Sequence, residues 1–164
     1  DRHDRPRLAY RDVASATNRL TLIAAVLPAQ CVSTHTVFCL RTSLPLRAQH
    51  LLSGLFNSFV VNYLVRLRVT THVTTGTVER LPIPRTEAAP SACREIASLA
   101  RLLAKRPNPA ALARLNARVA HLYQLSVEEF EHVLSTFPLI PAIERQAALQ
   151  IFLGEAPRGG SSQR

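Results

Sequence analysis

The chain has no methionine and no tryptophan, and lysine occurs once, at Lys105. Glycine is scarce too, with five residues at Gly54, Gly76, Gly154, Gly159 and Gly160. None of them makes a glycine-rich turn after an extended run, which excludes the loop that seats a nucleotide or a methyl donor. Cys31, Cys39 and Cys93 form no CxxC pair and the six histidines stand apart, so zinc-ligand spacing is missing. An odd set of thiols without a framework reads as reduced cysteine, and a cytoplasmic setting is expected. No apolar run approaches the roughly 20 residues that span a bilayer, and the charged opening from Asp1 to Arg7 is unlike a signal peptide, so no membrane partner is expected. GxSxG and HExxH are absent, as is the Asp/Asn-Pro-Pro-aromatic loop that holds a flipped base, and no two carboxylates share an apolar context. The chain is expected to carry no catalytic residue, metal or cofactor site of its own. It opens inside a charged segment without a methionine and reads as a piece of a longer protein.

What is present is a core and a positive charge. With 164 residues and 47% hydrophobic composition the chain can bury a real interior. Twenty Lys+Arg against eleven Asp+Glu give a net +9, which points to a polyanionic partner. The excess is uneven. Residues 1–86 hold eleven arginines against Asp1, Asp4, Asp12 and Glu79, whereas residues 87–164 hold nine basic and seven acidic residues.

Three runs favour extended structure: Leu8–Arg11, Thr21–Leu27 and Ser33–Leu40. The middle one is almost wholly apolar, as a covered strand would be. Pro45 stands where a helix begins, and Leu46, Leu51, Leu52, Leu55, Phe56 and Phe59 share an apolar face. Asn57-Ser58 can break and recap that helix before a second stretch from Phe59 to Val65. The segment from Arg66 to Arg85 has no period and ends in Leu81-Pro82-Ile83-Pro84, an extended exit. After a linker at Glu87–Pro90 the chain turns helical. A cap is expected at Ser91, an Asn108-Pro109 start, a Ser126–Glu129 capping box, and a last helix from Pro141 to Leu153 closed by Gly154. The expected class is α+β: a small mixed sheet with packed helices over residues 1–86, a helical subdomain over 87–157, and a disordered tail at 158–164.

Two basic, hydroxyl-rich loops supply the kinds of side chain that recognition of nucleic acid needs, and are expected to contact it. Arg11, Thr17, Asn18 and Arg19 form one; Arg66, Arg68, Thr71, His72, Thr74 and Thr75 form the other. Arginine forks suit phosphates and guanine, while Asn, Thr and His suit base edges. Two alternatives stay open: Asn18 and Arg19 as a turn pinned by local bonds, and the Arg66–Thr75 segment as a framework loop. Arg101, Arg106, Arg114 and Arg118 fit a solvated helix face or a seam. An RNA-binding module is disfavoured, since Tyr10, Tyr63 and Tyr123 are too dispersed for a stacking platform.

Leu8–Ala14 with Thr17–Pro28 resembles the "yRdia…tNrrTlIaailP" segment of large adenine-specific DNA methyltransferases, the type IIG restriction-modification proteins and their relatives. Leu55–Phe59, Arg66–Thr74, Leu81–Pro84 and Val119–Ser126 resemble further segments of that family in the same order, so the likeness spans roughly residues 7–140. It departs at Ala29-Gln30, where a Pro/Gly turn is usual, and at Gln124, where glycine is common. The resemblance implies a C-terminal target-recognition region acting on double-stranded DNA. S-adenosylmethionine and the catalytic loop would then belong to an upstream methyltransferase domain of the same polypeptide. A module that docks to that domain without touching DNA is the alternative.

Overall fold

The computed structural model describes residues 4–155. Strand β1 (Arg7–Arg11) lies between β2 (Ala24–Leu27) and β3 (Val37–Cys39), both antiparallel to it, with Leu8 opposite Val26 and Tyr10 opposite both Ala24 and Phe38. The α+β class expected from sequence is what forms, with a sheet that is antiparallel throughout instead of mixed. The covered strand is β1, where Leu8, Ala9 and Tyr10 are buried in succession. The apolar Thr21–Leu27 run is instead an edge: Leu22 and Ala24 point inward and Ile23 is 40% exposed. Apolar content alone does not separate a covered strand from an edge strand that faces helices on one side.

Helix α1 (Leu46–Phe56) takes Pro45 as its N-cap. Ser58 then caps α2 (Phe59–Arg66) by accepting from the Val61 amide, so the β-branched stretch is helical. Inside the aperiodic segment sits a single turn, α3 (Thr75–Glu79), capped by Thr74. Helix α4 (Pro90–Leu103) starts at Pro90 with Ala89 as its cap, not at Ser91. Asn108 caps α5 (Pro109–Leu122), and the full capping box opens α6 (Val127–Ser135). The last helix, α7 (Ala142–Glu155), runs through Gly154, which therefore does not close it. The tail expected at 158–164 lies outside the described residues.

The two positions where the family-like turns lack glycine, Gln30 and Gln124, are among the described residues the two non-glycine ones with positive φ, at 62° and 57°. Gln124 closes α5 in the Schellman manner: its amide donates to His121 O at 2.9 Å and the Leu125 amide to Ala120 O at 3.1 Å. The turn geometry is kept, at the steric cost of a side chain in the left-handed region.

Buried amide side chains hold the sheet to the helices. Asn62, fully buried, accepts from the Thr21 and Leu22 amides, each at 2.8 Å, and donates to the carbonyls of Leu22, Phe56 and Ser58. Asn57 exchanges bonds with both backbone groups of Ala24, and Gln49 accepts from the Leu8 amide at 2.7 Å. These side chains satisfy an outer β2 segment and a β1 end that have no strand partner there. Helices α1 and α4 pack side by side and run in the same direction, with Gly54 against Ile96 and Ala100. The apolar core is one cluster from Leu8 to Phe152.

Candidate nucleic-acid interface

The two loops singled out in the sequence meet at the Arg11 end of β1. The Ala14 amide donates to Thr71 O at 3.1 Å, the Val73 amide donates to Asp12 O at 2.8 Å, and Val13 and His72 form an antiparallel bridge. The Asp12 amide also donates to Thr36 O at 2.9 Å, bringing in the loop before β3. The result is a ledge of three backbone segments. Thr17, Thr71 and His72 are exposed on it, and Ser15 and Thr17 share a hydroxyl hydrogen bond of 2.9 Å.

His72 is the best-oriented group. Its Nδ1 lies 3.0 Å from Asp12 Oδ2, the ring is 53% exposed, and the carboxylate is 17% exposed. A carboxylate on Nδ1 selects the Nδ1–H tautomer in the neutral ring, which leaves Nε2 as an acceptor. Asp12 escapes a sequence reading, because only folding brings it beside His72; the exposed His in a hydroxyl-rich loop was the available signal.

Most of the arginines expected here are turned to protein. Arg66 donates from Nη1 to Thr136 O at 2.6 Å, from Nη2 to the carbonyls of Asn18 and Arg19, and from Nε to Thr21 Oγ1 at 3.3 Å. Its guanidinium lies 4.0 Å from the Phe137 ring centroid, a cation–π contact. Burial lowers its pKa from the ordinary value. Arg19 spans to α7, meeting both Glu144 oxygens at 2.8 and 2.7 Å. Asn18 Oδ1, with the amide oriented toward its donors, accepts from Arg11 Nη2 and the Ser15 amide, both at 3.2 Å. Arg68 is exposed and donates only to Leu64 O, at 3.2 Å. Thr74 caps α3 by accepting from the Thr77 amide, and Thr75 opens that helix on the exposed side.

The remaining basic residues fall elsewhere. Arg5, Arg7 and Arg41 line a cleft at the opposite end of β1, with Arg7 donating to Cys31 O. Arg114 and Arg118 are paired with Glu95 and Glu155 between α4, α5 and α7, the shortest contacts being 2.5 and 2.9 Å to Glu95. Arg47, Arg94 and Arg101 flank a groove between α1 and α4. The described glycines all lie inside helices: Gly54 in α1, Gly76 in α3 and Gly154 in α7. Among the described residues no group of three or more His, Cys, Asp or Glu could hold a metal ion, and no helix is long and apolar enough to cross a membrane. No protein-family model, no curated protein and no solved structure matches the chain.

Proposed function

We propose that this chain is the target-recognition portion of an adenine-specific DNA methyltransferase of a restriction-modification system, working in the cytoplasm on double-stranded DNA. The observation that carries the reading is the juxtaposition of the two family-like loops, distant in sequence, in one exposed ledge with His72, Thr71 and Thr17 outermost. Short polar groups on a backbone-fastened ledge are suited to base edges, and Arg68 beside them to a phosphate. Arg66 serves the ledge from below by holding the Asn18 and Arg19 carbonyls. In this reading the donor S-adenosylmethionine and the methyl transfer belong to an upstream domain of the same polypeptide. A second reading, a docking module, is favoured by Arg11 and Arg66, which are taken up by protein groups, by the Arg19 side chain, 56% exposed but paired with Glu144, and by Ile143, 76% exposed at the rim of an apolar groove on α5 and α7.

Selection of duplexes from a randomised pool by the chain tests the choice. Enrichment of a defined sequence, lost at one or two positions in Thr71→Ala/His72→Ala at roughly 1–3 kcal/mol per position, is the expected result. A pool that stays random after repeated rounds, with the protein folded, favours docking.

A further inference from the structure

The groove between α1 and α4 is cationic for reasons the ledge does not use. Arg47 and His50 on α1 face Arg94, Ser98 and Arg101 on α4, over a floor formed by Leu46 and Ala97. The three arginines are exposed, and none makes an ion pair among the described residues. The groove itself is lined by no acidic side chain; Glu87 lines an adjoining cleft that shares Arg47 and Arg94. The sequence between Asp12 and Glu79 contains no acid at all, so α1 brings none. On α4 the one acid, Glu95, is turned to Arg114 and Arg118 on the far side of the helix.

Burial, and after it the nearby Arg101 charge, lower the His50 pKa. Three like charges held together without a counter-charge raise the folded-state energy, and a bound polyanion removes that cost. Arg94 and Arg101 are seven residues apart on one helix, about 10 Å along its axis. Measured along the axis of duplex DNA, where each strand carries one phosphate per roughly 3.4 Å, that length takes in about three phosphates of one strand. Gln49, next in the chain to His50 of the groove, holds the Leu8 end of β1, whereas the ledge is at the Arg11 end.

We infer that the α1–α4 groove, through Arg47, Arg94 and Arg101, holds the sugar–phosphate backbone of duplex DNA as a second contact remote from the ledge. The inference rests on the DNA reading above for the identity of its polyanion. Fluorescence anisotropy of the whole chain with a labelled mixed-sequence duplex, across a salt series, tests it. Arg94→Ala/Arg101→Ala is expected to flatten the log–log salt slope by about 1.8 units, which shrinks the affinity ratio to the parent roughly tenfold between about 50 and 200 mM salt. Arg94→Lys/Arg101→Lys is expected to keep the slope, since lysine also neutralises a phosphate. An unchanged slope in the alanine variant overturns the groove while leaving sequence selection by the ledge intact. A flattened slope with no sequence enrichment sustains the groove and overturns the ledge. Equal binding of poly-L-glutamate, weakened equally by the alanine variant, overturns DNA in favour of an acidic protein surface. Failure of the folded chain to bind any duplex at low salt overturns the inference outright.

Discussion

Residues 7–86 and 90–155 are held together by different chemistry. In the first, backbone groups of loops and strand ends depend on side chains from elsewhere: Asn57, Asn62, Gln49 and Arg66. In the second, helices satisfy their own backbones, Asn108 and Ser126 cap them, and apolar faces with a few surface ion pairs do the rest. The candidate interface sits on the dependent part. Its shape is therefore set by contacts made far away in the chain, and substitutions beneath it act on stability and recognition together.

The severest way to break the comparison is Asn62→Ala. It strands the Thr21 and Leu22 amides and the Leu22 and Phe56 carbonyls in a fully buried place, while Ser58 O keeps the Asn62 backbone amide, and a loss of roughly 3–5 kcal/mol in a urea melt is expected. A loss below about 1 kcal/mol would mean the sheet edge does not need its amide. Arg66→Ala comes next, at about 2–3 kcal/mol, from charge-assisted bonds to carbonyls and the Phe137 contact. Backbone amide NMR shifts at Asn18–Thr21 should move with it, because the carbonyls on that loop lose their donor. Gly54→Ala probes the junction between the two regions: an added Cβ would lie 2.8 Å from Ile96 Cγ2, and about 1–3 kcal/mol of destabilisation follows.

Smaller effects sharpen the helical side. Gln124→Gly relieves a left-handed residue at the end of α5, and a thermal midpoint raised by the equivalent of about 0.5–1 kcal/mol is expected. Burial pushes the Glu95 pKa up, but the Arg114 hydrogen bond and the Arg118 and Arg114 charges outweigh it and hold the pKa below its ordinary 4.5. Glu95 thus adds stability above that value, and the gain is lost as pH falls through the lower folded pKa. Glu95→Gln should cost at most about 1 kcal/mol near neutral pH, with the gap to the parent closing in acid.

The same division governs what could be read from sequence. Caps are local, so Asn108-Pro109, Ser126–Glu129 and the Asn57-Ser58 break were legible residue by residue. The two loops of the interface were legible as a pair of basic, hydroxyl-rich stretches, and the fold joins them. Their internal wiring was not. Arg66 looks like a phosphate ligand until Thr136, Asn18 and Phe137 surround it, and Asp12 looks unremarkable until His72 arrives. Asn62, and Asn116 on α5, whose Oδ1 accepts from the Phe59 amide at 2.8 Å, carry no local signal, since a buried amide is recognised only by backbone groups that fold toward it. The edge position of β2 and the single turn α3 were hidden for the same reason: both depend on what packs alongside, not on period.

Arg66 also fixes an order of events during synthesis. It reaches Thr136, 70 residues later in the chain, with the same guanidinium that holds the Asn18 carbonyl. At roughly 5–20 residues per second, several seconds separate the emergence of the loops from that of the segment that fastens them. For that interval the nascent chain holds the sheet without its clasp, so the surface proposed to read DNA is made well before the segment that completes it.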